Sequence, residues 1–399
     1  MKIALVSPYD YAHASGVNTH ISRLRDNFTR MGNVVRIIAP SSKPSESMSD
    51  PDVLAYGRPI PIRASGSVVR SPVSPRLVFS SRIKEMLKRE SFDVIHIHEP
   101  LMPTLATAVL HHASDEVMVG TFHASRARSW GYPFWKPICL QRWFDKLHGR
   151  VAVSQAALEF VHRYFPADYE IIPNGIDLPH FAGDVAPLEE FADGKLNILF
   201  VGRMEKRKGF KYLLGAYEKV KRQCPESRLI VVGPEGRAWR KYRDRAMRRG
   251  VKDAVFAGFV SYEDLPRYYK SAHVFCSPAT DKESFGLVLL EAMAVGTPVV
   301  ASRIAGYADV VSDGVDGLLV GPRDEGKLAR GILTLLEDEA LRKSMGASGK
   351  IKAADYGWES VAERIMSYYT RLMRGDQRAA SEETPSAEQA SARARAACQ

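Results

Sequence analysis

The stretch LNILFVG, residues 196–202, repeats in mid-chain what KIALVSP, residues 2–8, does at the start. Each is a short apolar run closed by Gly or Ser-Pro and followed by helical periodicity, the signature of a buried strand feeding a helix. The first series continues through VVRIIAP (34–40), DVIHIHEP (93–100), VMVGTFHA (117–124) and RVAVS (150–154), with amphipathic stretches at 17–31, 76–90 and 155–165. The second runs through RLIVVG (228–233), AVFAGFV (254–260), HVFCSP (273–278) and TPVVAS (297–302). Strand-helix alternation of this kind builds parallel sheets, whose ligands sit beyond the carboxyl ends of the strands. The expected fold class is therefore α/β, with two consecutive Rossmann-like doubly wound domains, residues 1–190 and 191–355, and a cleft between them. Residues 356–374 read as a C-terminal helix, with Val361, Ile365, Met366, Tyr369 and Leu372 at helical spacing, expected to return to the first domain. Residues 375–399, almost without large apolar side chains, read as a disordered tail.

Composition narrows the function classes. A chain of 399 residues, 45% hydrophobic and 26% charged, is too long for one core, and its formal charge of +10 favours an anionic partner. A nucleotide, an anionic lipid surface and nucleic acid all qualify, but no nucleic-acid reader motif accompanies the charge, so nucleic acid is not expected. The N-terminus has too short an apolar run for a signal peptide, and no window supplies about 18 uninterrupted apolar residues for a membrane span. The cysteines, Cys139, Cys224, Cys276 and Cys398, are far apart and form no C-x-x-C pair, which suggests neither zinc nor disulfides and points to a cytoplasmic compartment.

Several constellations sit where strands end. After the first strand, Ser15 and Gly16 precede a helix beginning near Val17, whose free N–H groups and positive end suit phosphate. After LNILFVG come Arg203, Lys206, Arg207 and Lys208, cations suited to a diphosphate. In DKESFGLVLLEAMAVGTPVVAS, residues 281–302, a helix beginning near Phe285 would carry Glu291, with Glu283 just before it, and an unpaired Glu291 among such apolar neighbours would be costly. Glu291 is thus expected to meet a diol such as a ribose. His96 and His98 are read as facing opposite sides of their strand, so no shared metal is expected, whereas His123 lies at a strand end and is the better functional candidate. Asp50 and Asp52, the lone D-x-D, are read as accidental, far from any strand end. The basic stretch 63–89 could lie on an anionic membrane or pack Ile83, Met86 and Leu87 as core. The eight cations within 237–252 are read as a solvated face.

Together these pieces resemble the retaining glycosyltransferases of the two-Rossmann-domain (GT-B) fold, of the glycosyltransferase family 4 type. The resemblance is carried by the Gly16 loop, GTFHAS (120–125), VAVS (151–154), IIPNGID (171–177), VGRMEKRKG (201–209) and the Glu283/Glu291 pair, and covers the chain to about residue 374. Within that family the chain is most similar to the phosphatidylinositol mannosyltransferases of actinobacteria, through SPYDYAHASGVNTH, GSVVR (66–70), FDVIHIHEP and TFHAS. One departure is Ser15, where a second glycine is usual. By position, the resemblance implies that Gly16, Arg203 and Lys208 hold the donor diphosphate, with Ser284, Phe285, Gly286 and Leu287 completing the phosphate cradle. Glu283 would bind the transferred sugar, Glu291 the ribose, and His123 the sugar and reacting centre, while Val260 borders the base. Tyr9, Asn18, Arg70 and Arg128 match acceptor positions. The implied reaction moves mannose from GDP-mannose to phosphatidyl-myo-inositol at the inner face of the cell membrane, without a protein-held metal. Alternatives are another pair, such as UDP-glucose and diacylglycerol, or a sugar-nucleotide isomerase on the same fold.

Overall fold

The computed structural model describes residues 1–375 apart from 14, 44–49, 65–66, 73–74, 103–104, 126–128, 130 and 282, with the backbone alone at 63–64, 67–69 and 75–76. The tail from 376 and Arg128 lie outside the described residues. The first half holds strands β1 (Lys2–Val6), β2 (Val34–Ala39), β3 (Val53–Ala55), β4 (Ile60–Ala64), β5 (Ser67–Ser71), β6 (Val94–His98), β7 (Val117–Phe122), β8 (Gly149–Ala152) and β9 (Glu170–Ile171). The second holds β10 (Leu196–Val201), β11 (Ser227–Val232), β12 (Ala254–Gly258), β13 (Val274–Ser277), β14 (Val299–Ser302) and β15 (Gly317–Val320). Two parallel sheets result, in the orders β3-β2-β1-β6-β7-β8-β9 and β12-β11-β10-β13-β14-β15, with β4 and β5 as a separate antiparallel hairpin.

All ten strands anticipated from the apolar runs are present. Those missed, β3, β9, β15 and the hairpin, are short or edge elements whose sequences lack a sustained apolar run. Central strands are wholly buried, as at β6 and β11, because helices cover both faces of each sheet. The order reverses between β1 and β6 in one sheet and between β10 and β13 in the other, and such switch points open a crevice at the carboxyl ends of the strands.

Two readings of the first half are corrected. Asp52 directly precedes β3, so the D-x-D is close to a strand, and the pair is engaged by Arg25 at Asp50 and Arg36 at Asp52. The stretch 63–89 is not one amphipathic surface element, because it contains the β5 strand and two helices, Pro75–Val78 and Ser81–Glu90. In the second helix Ile83, Met86 and Leu87 are buried in the core. With their apolar surface already packed in the core, these three side chains are no insertion face for a bilayer. Its outward face, Arg82, Lys84, Lys88 and Arg89 against Glu85, remains exposed. The helix Arg237–Arg248 likewise buries only Trp239 and Ala246 and leaves its cations largely in solvent.

The chain crosses between the halves more than once. Ile176, Phe181 and Phe191 pack into the core of the second sheet. The terminal helix Trp358–Met373 returns to the first sheet and packs on the helix Gly16–Arg30. There Tyr369 Oη meets His96 Nδ1 at 2.6 Å, and Tyr368 Oη accepts the Arg150 N–H at 2.9 Å.

The loop after β10 is shaped by Gly209, at φ +70°, where a Cβ would collide with the Pro278 carbonyl. Gly209→Ala therefore pays for left-handed backbone and a backbone clash together, and is expected to destabilise by at least about 2 kcal/mol. A lowered urea midpoint with unchanged slope would register it.

Candidate active site

The loop following β10 forms a single 3₁₀ turn, Lys206–Lys208, ending at Gly209, and Thr280 N–H donates to the Arg207 carbonyl at 2.8 Å. This ties the cationic turn to the loop that follows β13. There Glu283, one-tenth exposed, receives Lys208 Nζ at 2.9 Å and a charged hydrogen bond from Arg207 Nη1 on the same oxygen. Arg207 in turn holds Glu205 at 2.7 Å, and the mostly exposed Arg203 pairs with Glu205 at 3.0 Å. The structure thus brings Lys208 and Glu283 into contact, adds Arg207 between them, and leaves Arg203 at the rim. Arg207 is one of the cations expected to suit a diphosphate, and its bridge from Glu205 to Glu283 is visible only in the structure.

The helix after Glu283 begins at Leu287, two residues later than expected. The reason is Gly286, whose φ of +106° breaks helical geometry and whose added Cβ would meet the Tyr307 ring. Gly306 lets the neighbouring backbone press against Glu283, since a Cβ there would strike the Glu283 carbonyl. Leu287 and Val288 N–H groups thus open the helix mouth, beside the buried Phe285 and the partly exposed Ser284. Glu291 accepts the Tyr269 hydroxyl at 2.7 Å, and burial raises its carboxyl above the usual range despite that bond and the Lys208 charge. Val260, half-buried, borders the carboxyl end of β12.

From the first sheet, Ser15 caps the helix Gly16–Arg30 by accepting the Asn18 N–H at 3.1 Å, and the space beside the Gly16 Cα is open. Asn18 is buried, with its side-chain oxygen accepting from Ser7 Oγ at 2.7 Å and its amide donating to the Asp10 and His13 carbonyls at 2.9 and 3.0 Å, so it shapes the loop after β1. Tyr9 is half-buried in that loop, and Arg70 is exposed on β5, its carbonyl accepting the Asp10 N–H at 2.8 Å.

His123 follows β7, half-buried, and Glu99 Oε1 accepts its backbone N–H at 2.8 Å. Glu99, one residue past β6, is buried and holds φ +52°, a costly conformation for a non-glycine residue that tends to mark functional sites. Its position after HIH was quoted, but nothing in sequence announces the strained backbone. His96 and His98 prove to share one face, because a period of two returns every second side chain to the same side. Their rings stack at 4.5 Å, His98 stacks on His123 at 5.2 Å, and His98 Nδ1 bonds His123 Nε2 at 2.9 Å. His20 meets both His98 and His123 edge-on at 5.2 and 5.0 Å. His20, His98 and His123 each offer a ring nitrogen within 4.8 Å of the others, a trio that could hold a metal, although two of the ring nitrogens engage each other here. Desolvation drives all four histidines down, His20 to about 4 and His96 to about 3, so they are neutral at pH 7.

The two halves meet at this point. Ser125 N–H donates to Ser284 Oγ at 3.1 Å, Ser154 Oγ donates to the Ser284 carbonyl, and Ala156 N–H donates to Asp309 at 3.2 Å. The loop that carries neutral His123 after β7 and the loop that carries the cation-flanked Glu283 after β13 therefore meet where the two halves touch.

Residues 14–179 match the family described as Glycosyltransferase Family 4, and residues 187–352 match Glycosyl transferases group 1. A glycosyltransferase from Rickettsia africae superposes with a TM-score of 0.76 over 94% of this chain and 98% of its own, at 17% identity, which defines the fold class as GT-B. The phosphatidyl-myo-inositol mannosyltransferase of Mycobacterium tuberculosis is 36% identical over 92% of this chain and 96% of its own. That of Propionibacterium freudenreichii is 30% identical over 93% and 95%. The chain belongs to the glycosyltransferase family that includes these mannosyltransferases.

Proposed function

We propose that this glycosyltransferase moves mannose from GDP-mannose to phosphatidyl-myo-inositol, with retention of anomeric configuration, at the inner face of the cell membrane. The observation that carries the reading is the contact of Ser125 with Ser284, which joins the loop that carries His123 to the loop that carries Glu283 with its Arg207 and Lys208 partners. Identity of 30–36% to proteins named phosphatidyl-myo-inositol mannosyltransferase, over nearly the whole chain, supports mannose as the sugar and an inositol phospholipid as the acceptor. Residues 1–190 would receive the acceptor and 191–355 the donor.

Breaking the bond from the anomeric carbon to the phosphate oxygen leaves positive charge on the sugar and more negative charge on the diphosphate. Lys208, Arg203 and Arg207 aimed at the leaving group stabilise that separation more than the ground state. Arg207 and Lys208 neutralise Glu283; with donor bound, the diphosphate shares their charge and Glu283 is freed for sugar hydroxyls. The first N–H groups of the helix at Leu287 and those near Gly16 complete the cradle. Neutral His123 can hydrogen-bond the sugar without repelling its developing positive charge. On the donor's front face, the acceptor hydroxyl bonds to the anomeric carbon as its proton passes to the departing phosphate oxygen, so that no enzyme nucleophile is needed. Tyr9, Asn18, Arg70 and Arg128 would serve the inositol phosphate, Asn18 through the loop it holds.

The donor base is tested by thermal stabilisation, because a ligand that binds only the folded state raises its stability with concentration. GDP and GDP-mannose are expected to raise the melting temperature more than UDP and UDP-glucose; the reverse order would replace the donor while leaving the enzyme class in place.

A further inference from the structure

His123 is held at two points. Its backbone N–H reaches Glu99 Oε1 at 2.8 Å, and its ring Nε2 lies 2.9 Å from His98 Nδ1. Burial keeps both imidazoles well below their ordinary range, so each is neutral at pH 7 and carries a single ring hydrogen. One of those hydrogens lies between the two nitrogens, and it has two possible owners. Either His98 donates from Nδ1, which leaves its Nε2 bare and puts the His123 hydrogen on Nδ1, or His123 donates from Nε2, which leaves its Nδ1 bare and puts the His98 hydrogen on Nε2.

The surroundings choose the first arrangement. His98 is fully buried, and its Nε2 has no hydrogen-bond partner among the described residues. The second arrangement would seal an N–H there without an acceptor, a rare state for a buried donor, whereas the first leaves only an unshared lone pair. On the far side of the pair, the Asn174 side chain, from IIPNGID, hydrogen-bonds His123 in the sense that favours a protonated ring. A group acting in that sense offers its oxygen, and with Nε2 engaged by His98 such an oxygen calls for a hydrogen on Nδ1. The His98 ring is also clamped against turning over. His96 stacks on it at 4.5 Å and is itself anchored at both nitrogens, by Tyr369 Oη and Thr121 Oγ1, each at 2.6 Å.

We propose that His98 is a positioning residue that donates from Nδ1 to His123 Nε2 and so fixes His123 with its hydrogen on Nδ1, making His123 a hydrogen-bond donor to the sugar. The proposal rests on the reading that places His123 at the reacting centre, and deepens it. A hydrogen on Nδ1 can pass from Asn174 to a sugar oxygen, whereas a bare Nδ1 would have to take a hydrogen from the sugar instead. The test uses the full chain with nitrogen-15 in its histidines, as wild type, His98→Asn and His98→Leu. The Asn amide sets an N–H close to the place of His98 Nδ1, and Leu fills the space without a donor. Long-range nitrogen–proton NMR reads which nitrogen of each ring holds the hydrogen, with His98→Asn and His123→Gln spectra identifying the two rings. Wild type and His98→Asn should hold the His123 hydrogen on Nδ1, and His98→Leu should lose that preference. Mannose transfer from GDP-mannose to phosphatidylinositol vesicles should stay within about threefold of wild type in His98→Asn and fall at least about tenfold in His98→Leu, with stabilisation by GDP unchanged in both. A merely structural His98 would slow both variants alike without moving the hydrogen. A wild-type hydrogen on His123 Nε2, an unmoved hydrogen in His98→Leu, or equal rates in the two variants would each overturn the assignment, and the wild-type spectrum decides alone if His98→Leu does not fold. Mannolipid formed by a wild type with the hydrogen on Nε2 sinks this inference alone, and a hydrogen on Nδ1 without any mannolipid sinks the substrate reading alone.

Discussion

Glu283→Gln is expected to slow sugar transfer by about ten- to a hundredfold, the loss that follows when a charge-assisted hydrogen bond contributing roughly 1.5–3 kcal/mol is weakened in the transition state. The amide keeps the side chain's shape but no longer neutralises Lys208 and Arg207. Two unpaired cations should then hold the leaving diphosphate at least as firmly, so nucleotide stabilisation should persist while turnover falls. That split distinguishes a sugar-binding carboxylate from a structural one. Lys208→Ala should fail the other way, with turnover down by at least about tenfold and weaker stabilisation by the nucleoside diphosphate, since Lys208 faces the charge that grows on the leaving group. Wild-type turnover in Glu283→Gln would remove that residue from the chemistry.

Acid should unfold this protein earlier than its ion pairs alone would dictate. In the folded state His20 titrates near 4 and His96 near 3, against about 6.5 in an unfolded chain, while His98 and His123 are also held well below their ordinary value by burial. Above pH 6.5 neither state binds the proton and nothing is lost. Between 6.5 and 4 the unfolded state takes up a proton that folded His20 refuses, so stability falls with pH at up to about 1.4 kcal/mol per unit for each such proton. By pH 5 His20 alone accounts for roughly 2 kcal/mol. Glu291 and Asp309, whose carboxyls burial raises, act in the opposite sense near their own range. Urea midpoints at pH 7, 6 and 5 should drop steadily below 6.5; a flat profile from 7 to 5 would mean the histidines reach water in the folded state.

How much of this could be read in the residues varies with the range of the interaction. The two sheets were legible because KIALVSP and LNILFVG each restart a strand-helix alternation, a local pattern. Lys208 stood out because charge follows a buried strand abruptly and Glu283 because it precedes a helix, and the structure brings the two into contact at 2.9 Å. Contacts between distant segments were not: the bond from Tyr369 to His96 spans 273 positions, and the Ser125–Ser284 contact joins loops from different sheets. The histidine stack was missed for a simpler reason, a misapplied strand period that placed His96 and His98 on opposite faces. Glu99 and Arg207 needed coordinates, one for its left-handed backbone and the other for its carboxylate.

We propose that this site transfers mannose from GDP-mannose to an inositol phospholipid with retention. The most direct measurement incubates the full chain with GDP-mannose labelled at the anomeric carbon and phosphatidylinositol vesicles, then follows the product by NMR. The expected product is a mannosylated phosphatidylinositol with the donor's α configuration, with stoichiometric release of GDP. A β-linked product, or turnover only with a different sugar nucleotide or acceptor, would contradict it.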